Sequence, residues 1–437
     1  MLATGAVKIF ARRQVFRARL FLEGLAVGIF TGVVVTAIRI LLDAADILRP
    51  QWFQHFSAGK FFVTACAIIF VAGFLARAIK FDGQVAGSGV PQIKGMLQGI
   101  SAMTEPLRLI VLKFTATVLG IGAGMSLGRA GVSVQFGACA GNFFGKVFYR
   151  QHGEIERGIL LTAGAGAGLA AIFNAPLAGI IFCVEELHRK FSPEVLVATL
   201  AASVSASAVV NLVFGVQPIF AKISAIPAVV PEILNVVHFV ALGIFLGMVG
   251  VVFTRAMIFS LDVYDRLKIF GTRRFLIPLA LTIPLGVTVP EVLGCGNVLV
   301  DEILSEEFVL RATLIFFAGK FLFTLVSFGT GAPGGVFLPL LTLGALGGSI
   351  YADAGVALGF FGSEWSTLLI IFGMAAMFAA VVKAPVTGSI LIMELTGQFS
   401  YLLTLTVVSG AAFMTADLLG GEPIFSALLN RSLRAKN

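Results

Sequence analysis

Long runs of apolar residues recur along the chain, and few charged residues interrupt them. Six of these runs approach the ~20 residues that a membrane-spanning helix requires. They are Gly24 to Ile38, Phe61 to Ala76, Val195 to Phe214, Val237 to Phe253, Ala312 to Phe328 (interrupted by Lys320) and Leu402 to Leu419. Several other runs are shorter and are broken by glycine. The pattern predicts an all-α polytopic membrane protein.

Composition supports this prediction, because 58% hydrophobic residues, 12% charged residues and a mean hydropathy of +0.99 lie outside the range of soluble proteins. Cysteines occur singly and histidines are dispersed, so we assign none of them to a metal site, a disulfide or proton transfer, and we expect no cofactor. We interpret the cysteines as small core residues. The positions are Cys66, Cys139, Cys183 and Cys295, and His55, His152, His188 and His238.

The net charge of +8 does not indicate nucleic-acid binding, because the basic residues flank apolar runs and do not form one soluble face. The positive-inside rule therefore places both termini in the cytoplasm, with an even number of crossings. No cleavable signal sequence and no soluble C-terminal domain are expected. The flanking residues are Lys8, Arg12, Arg13, Arg17 and Arg19 before the first run, and Arg431, Arg434 and Lys436 after the last.

An internal repeat relates the two halves of the chain. The segment from Ala175 to Glu185 resembles the segment from Ala384 to Glu394, 209 residues later. Upstream, Gly128 to Gly141 resembles Gly335 to Gly348 at an offset of 207 residues. Similar offsets in two separate motifs predict a single transmembrane domain (residues 1–437) with halves at about 20–215 and 235–420. In transporters of this kind, the substrate site lies between the repeats near the membrane midplane.

Three glycine-rich segments predict helices that begin inside the membrane: Gly87 to Pro91, Gly128 to Val132 and Gly334 to Pro339. Irregular backbone at that depth must line a cavity or be buried in protein. Ser88 and Gly335 are expected close to helix starts, and helix N-termini carry about +0.5 of an elementary charge and bind anions. Partial charges also permit release of the ion. The alternative interpretation is that these glycines only permit close helix packing.

The three segments, in this order and at these distances, resemble the anion-binding signatures of the CLC family of chloride channels and chloride/proton antiporters. The resemblance continues through four further segments and covers nearly the whole transmembrane chain. These segments are Asn174 to Gly179, Glu185-Glu186, Ser327 to Gly335 and Gly420 to Ala427.

The resemblance implies two inverted-topology repeats built from many tilted and partly spanning helices, and a homodimer in the cell membrane with one anion pathway per subunit. It implies that Ser88 contacts a central chloride through its hydroxyl, and that Val336 and Phe337 contact it through backbone N–H groups. A plain helix cap is the alternative role for Ser88. The remaining residues that match the anion site by resemblance are Gly89, Arg129, Gly131, Gly335 and Phe425.

This chain departs from the family pattern at three positions. Ala130 occupies the gate position, where the second signature usually carries a glutamate that gates the pathway and accepts protons. Val132 replaces a common proline, and Phe425 stands where a tyrosine hydroxyl usually reaches the central anion. The missing carboxylate predicts passive anion transport without proton coupling.

Glu186 is the remaining candidate for proton transfer, since the resemblance aligns it with an intracellular proton-relay glutamate. Within the repeat Glu185 matches Glu394, which indicates a shared structural role, whereas Glu186 matches Leu395. An unmatched ionisable residue at membrane depth indicates function. A structural role for Glu186 remains open, and so does chloride/proton antiport with another outer carboxylate.

Two other function classes fit the sequence poorly. A membrane enzyme would need clustered nucleophiles, acids or metal ligands, and the chain has no such motif, so we predict that it is not an enzyme. A cation or metal transporter would present carboxylates or carbonyl groups, whereas these signatures present N–H groups. Among anions, the unaltered first signature at Gly87 to Pro91 favours chloride over fluoride.

Overall fold

The computed structural model describes residues 2–149, 153–188, 191–220, 236–305, 309–360 and 362–434, with side chains from residue 14 onward. This part of the chain contains 17 α-helices. They are α1 (Leu2–Phe53), α2 (Ala58–Phe81), α3 (Val90–Leu97), α4 (Pro106–Gly122), α5 (Ala130–Phe148), α6 (Glu154–Phe173), α7 (Pro176–Phe182), α8 (Pro193–Phe214), α9 (Val236–Arg266), α10 (Thr272–Thr288), α11 (Asn297–Ser305), α12 (Leu310–Gly329), α13 (Phe337–Ala357), α14 (Ser366–Val382), α15 (Pro385–Thr396), α16 (Leu402–Leu418) and α17 (Ile424–Arg434). A π-helical turn, Cys183–His188, continues α7.

Nine helices in the described ranges are long and apolar enough to cross a membrane. The six apolar runs of the sequence fall within α1, α2, α8, α9, α12 and α16, so the prediction of an all-α polytopic membrane protein is confirmed. The other three spans are Glu154–Phe173, Phe337–Ala357 and Ser363–Val382, whose most apolar windows are between 67% and 83% buried within the protein. Such helices face protein more than lipid, which explains their high content of glycine and alanine.

The repeat seen in the sequence is a repeat of helices. Helices α2 to α8 correspond in order to α10 to α16. Helix α5 begins at Ala130 and α13 at Phe337, 207 residues later, while α7 begins at Pro176 and α15 at Pro385, 209 residues later. The first half ends with α8 and the second begins with α9, although residue 235 itself lies outside the described residues.

Glycines bring corresponding helix pairs into close contact. A Cβ atom on Gly137 of α5 would lie 1.8 Å from the carbonyl oxygen of Gly164 in α6, and a Cβ on Gly344 of α13 would lie 2.4 Å from that of Gly373 in α14. Only glycine permits this approach, because any side chain would overlap the neighbouring backbone. Backbone contact therefore holds α5 on α6 and α13 on α14.

Two carboxylates bind the halves to each other. Glu394 of α15 accepts hydrogen bonds from the backbone N–H groups of Leu177 (3.0 Å) and Ala178 (2.8 Å) at the start of α7. Glu185 in turn accepts from the N–H groups of Val386 (3.1 Å) and Thr387 (2.7 Å) at the start of α15. Each carboxylate thus satisfies N–H groups that have no acceptor within their own helix. The structural role predicted for Glu185 and Glu394 is confirmed.

Several predictions about single residues have mixed outcomes. Cys139, Cys183 and Cys295 are buried, but Cys66 is exposed on α2, so its assignment to the core was wrong. The apolar run that contains Cys66 turns this face of α2 outward, where lipid or another subunit can cover it. No group of three or more metal-ligating side chains occurs in the described ranges. His152, Lys436 and Asn437 lie outside them. The orientation of the termini and the number of crossings stay predictions.

Candidate anion site

The three glycine-rich segments meet in the interior of the protein. The N–H of Gly87 donates to the carbonyl of Gly331 (3.1 Å), and the N–H of Gly334 donates to the carbonyl of Gly87 (3.2 Å). Gly128 and Gly335 exchange two backbone hydrogen bonds of 2.6 Å in an antiparallel bridge. These two glycines are repeat equivalents, so the chain runs antiparallel to its own repeat at this point, as inverted repeats require.

The first and second segments also approach each other closely. A Cβ atom on Gly131 would lie 2.9 Å from the Cβ of Ser88. Gly89 has a positive φ of 93°, a conformation that glycine adopts without strain. Glycine is therefore required here both for the turn before α3 and for the contact between the segments.

Three helices begin where these segments meet. Helix α3 is capped by Gly89, α5 by Arg129 and α13 by Val336, and no cap side chain accepts a hydrogen bond from its helix. The first N–H groups of a helix have no intrahelical acceptor, and the helix dipole makes this end electropositive. The N–H groups of Val336 and Phe337, at the start of α13, are among them. The meeting point is therefore suited to an anion.

Ser88 adds a hydroxyl group to this electropositive region. Its residue exposure is 2%, and its Oγ has no hydrogen-bond partner among the described residues. Gly89, not Ser88, is the cap of α3, so the plain helix-cap role is not observed. A buried hydroxyl without a partner is costly unless a ligand or water completes it. Ser88 also borders a cavity of 1120 Å³ that extends to α17.

Phe425 lies on the other side of the start of α13. Its ring stacks on that of Phe337, with centroids 5.5 Å apart, and both residues are fully buried. The Phe337 ring also contacts Phe182 (5.8 Å) and Phe378 (5.3 Å). This side of the site is hence lined by aromatic rings without a hydroxyl.

Ion pairs on the cytoplasmic helix α17 hold Phe425 in place. Arg431 of α17 pairs with Asp262 (2.8 Å) and Asp265 (2.5 Å) of α9. Burial alone would lower the pKa of Arg431, but its hydrogen bonds to these two carboxylates raise it above the usual value. The α17 anchor is therefore charged at every physiological pH.

Ala130 and Arg129 begin α5. Ala130 is fully buried and carries no polar group. The guanidinium of Arg129 forms an ion pair of 2.5 Å with Asp43 of α1, and Asp43 is also 3.6 Å from Arg39. Asp43 is 32% exposed, so this carboxylate is not locked in the interior. Because Asp43 holds the Arg129 side chain, Arg129 presents its backbone to the meeting point of the helices.

Glu186 lies in the π-helical turn and is 1% exposed. Its Oε1 is 2.6 Å from the ammonium nitrogen of Lys94 in α3, which is 4% exposed. Lys94 also donates a 2.8 Å hydrogen bond to Ser426, the residue after Phe425. Sequence reasoning missed Lys94, although a lysine within an apolar helix is the type of residue that signals function at membrane depth.

Two further buried lysines were also missed, and they occupy equivalent positions 207 residues apart. Lys320 donates to the carbonyl groups of Val292 (3.1 Å) and Gly294 (2.9 Å), while Lys113 donates to the side chain of Gln135. The repeat offset could have identified this pair. Both lysines hold the backbone or side chains close to the glycine-rich segments, and the hydrogen bonds account for their burial.

The structure thus brings most of the sequence-predicted residues together. Backbone bonds or close contacts join Ser88, Gly131 and Gly335, and Phe425 packs on Phe337. Glu186 lies apart from the glycine-rich segments, beside Lys94. Whether these residues bind an anion is taken up below.

Comparisons with known proteins agree along almost the entire chain. The family model described as voltage gated chloride channel matches residues 68–417. The H(+)/Cl(-) exchange transporter ClcA of Vibrio cholerae serotype O1 is 34% identical over 432 residues, which cover 95% of this chain and 90% of that protein. ClcA of Vibrio campbellii is 34% identical over 421 residues, covering 93% and 88%. The crystal structure of a slow cyanobacterial Cl-/H+ antiporter superposes with a TM-score of 0.86 at 29% identity, covering 95% of this chain and 98% of that one.

Proposed function

Since this chain belongs to the voltage gated chloride channel (CLC) family of anion transport proteins, we propose that it moves chloride or a similar small anion across the cell membrane. The anion site is the meeting point of the N-termini of α3, α5 and α13. The observation that supports this proposal is the buried, unpartnered hydroxyl of Ser88 beside three electropositive helix ends. A neutral site of this kind attracts an anion without a full counter-charge and so permits its release.

We further propose that transport is passive and not coupled to protons. The supporting observation is Ala130, which places a buried methyl group, and no carboxylate, at the start of α5. Coupled exchange needs a group that binds a proton and competes with the anion, so that neither movement is completed alone. Alanine does neither. Phe425 cannot replace that group, because its ring has no hydroxyl and packs against Phe337.

Coupled chloride/proton exchange is the second candidate, and the names of the relatives favour it. The matched Vibrio proteins are called H(+)/Cl(-) exchange transporters, and the matched cyanobacterial structure is described as a Cl-/H+ antiporter. Exchange here would require a different outer carboxylate. Asp43 is the carboxylate placed for that role, because it is partly exposed and contacts Arg129, the residue before Ala130.

Flux measurements in proteoliposomes distinguish the two candidates. The purified protein is reconstituted, an outward chloride gradient is imposed, and external chloride and external pH are followed together. Passive transport releases chloride, with a counter-ion supplied by valinomycin and potassium, and drives no uphill proton movement. Proton movement against its gradient that disappears in Asp43→Asn would establish the exchange mechanism instead. Asp46→Asn is the control, since Asp46 pairs with Arg49 on the same helix at 3.0 Å.

Selectivity, assembly and orientation belong to the same proposal. We expect chloride to be transported in preference to fluoride because the first signature, Gly87 to Pro91, is unaltered, and we expect a homodimer with one pathway in each subunit. The exposed Cys66 and the exposed apolar residues of α2 offer a surface for lipid or for another subunit. Chemical crosslinking in liposomes at high lipid-to-protein ratio measures the oligomeric state.

A further inference from the structure

A buried ion pair joins three elements near the inner end of α3. The ammonium of Lys94 is 2.6 Å from the carboxylate of Glu186 and 2.8 Å from the hydroxyl of Ser426. Lys94 belongs to α3, Glu186 to the π-helical turn after α7, and Ser426 to α17. Both charged side chains are nearly inaccessible, at 4% and 1% exposure. The pair therefore lies where charge is expensive unless it is compensated.

The surroundings of Glu186 place Lys94 as its close cationic partner among the described residues. The π-helical turn also carries Glu185, whose carboxylate caps α15, and His188, whose ring nitrogen is 2.7 Å from a threonine hydroxyl of α6. Helix α17 faces the pair with the neutral Ser426. Protonation of Glu186 would leave the ammonium of Lys94 buried without its counter-charge, so the charged pair resists it.

We propose that Lys94 is a positioning residue that holds Glu186 as a permanent carboxylate and so removes it from proton transfer. The inference rests on the proposed function in one respect: the alanine at position 130 is a first interruption of coupling, and the Lys94–Glu186 pair is a second, independent one. A carboxylate restored at position 130 would consequently remain without an inner partner. Within the repeat Glu186 corresponds to Leu395, so no duplicate residue substitutes for it.

Access of solvent to the pair makes the inference testable. A cavity of 320 Å³ is lined by Lys94, His188, Ser426 and neighbouring residues of α3 and α17. Water in this cavity can deliver a proton to Glu186 once the ammonium is absent. Replacement of Lys94 by glutamine keeps a hydrogen-bond donor towards Glu186 and Ser426 but removes the charge. Glu186 is then a buried carboxylate without a cation, for which the neutral acid is the favoured form.

The experiment compares five proteins in proteoliposomes: wild type, Ala130→Glu, Ala130→Glu/Lys94→Gln, the same double variant with Glu186→Gln, and Ala130→Glu/Lys383→Gln. Chloride release and proton movement are recorded under an imposed chloride gradient. Ala130→Glu should slow chloride release without pumping protons, and the double variant with Lys94→Gln should pump them. Added Glu186→Gln should abolish the pumping. The Lys383→Gln control removes a lysine paired with Asp417 at 3.2 Å in the other half and should not produce pumping.

Two outcomes overturn the inference. Pumping by Ala130→Glu alone that depends on Glu186 would mean that Lys94 does not withhold this carboxylate. A double variant that transports chloride but moves no protons would mean that Lys94 is not the second interruption. Failure of the proposed function is distinguishable, because wild type would then pump protons. If that pumping survives Glu186→Gln the inference stands, and if it is lost the inference falls with it.

A measurement on single variants keeps the inference falsifiable even where the double variant does not fold. Infrared difference spectra of the purified protein between pH 8 and about pH 5 detect protonated carboxyl groups. Lys94→Gln should gain a carboxylic acid band in this interval that is absent from wild type and from Lys94→Gln/Glu186→Gln. The same spectrum in wild type and Lys94→Gln would overturn the inference.

Discussion

Replacement of Ser88 by alanine tests the anion site with little disturbance of the fold. The hydroxyl of Ser88 is buried and has no partner in the described part of the chain, so its removal breaks no internal hydrogen bond. If the hydroxyl donates to a bound anion, the variant loses one hydrogen bond from a neutral donor. Such a bond contributes about 0.5 to 1.5 kcal/mol, which corresponds to a roughly twofold to tenfold weaker binding constant.

Isothermal titration of the detergent-purified protein with chloride measures this change directly. Ser409→Ala is the matched control, because Ser409 is also fully buried and its hydroxyl is also without a partner, but it lies in α16, away from the three helix starts. We expect weaker chloride binding in Ser88→Ala, unchanged binding in Ser409→Ala, and similar unfolding temperatures for both. Equal affinity in wild type and Ser88→Ala would refute the assignment of Ser88 to the site.

Three further predictions concern the scaffold. Glu394→Gln should destabilise the protein by about 1 to 3 kcal/mol, because one oxygen acceptor and the negative charge are lost at the start of α7; thermal unfolding in detergent measures this. Gly137→Ala should destabilise it far more than Gly158→Ala, since the first Cβ overlaps the carbonyl of Gly164 and the second meets open space; equal unfolding temperatures would contradict the packing argument. A cysteine introduced at Asn437 should react with an impermeant thiol reagent only after the membrane of intact cells is opened, and labelling from outside would refute a cytoplasmic C-terminus.

Sequence reasoning predicted those parts of the structure that depend on local chemistry. The apolar runs identified six spanning helices, and glycine and proline marked the starts of α3, α5 and α13. The repeat offset separated Glu185, which has an equivalent, from Glu186, which has none. In each case the signal lies within a few residues, so it is visible without knowledge of the fold.

The parts that were missed depend on contacts between distant segments. Lys94 and Glu186 are 92 residues apart, and Asp43 and Arg129 are 86 apart, so nothing in the local pattern indicates that they pair. The spans Glu154–Phe173 and Phe337–Ala357 were missed for a different reason. Helices that are buried within protein need less hydrophobicity than helices that face lipid, and their glycines resemble loop signals.

The exchanged carboxylates of the two repeats have a consequence for how the chain is made. Leu177 and Glu394 are 217 residues apart, and a ribosome adds about 5 to 20 residues per second, so α7 exists for roughly 10 to 40 seconds before its cap has been synthesised. During this interval the first half has no carboxylate from α15, and its early N–H groups must be satisfied by water or lipid headgroups. Neither half is thus a complete folding unit, and the nascent first half is the stage at which membrane chaperones and proteases have the best access to the protein.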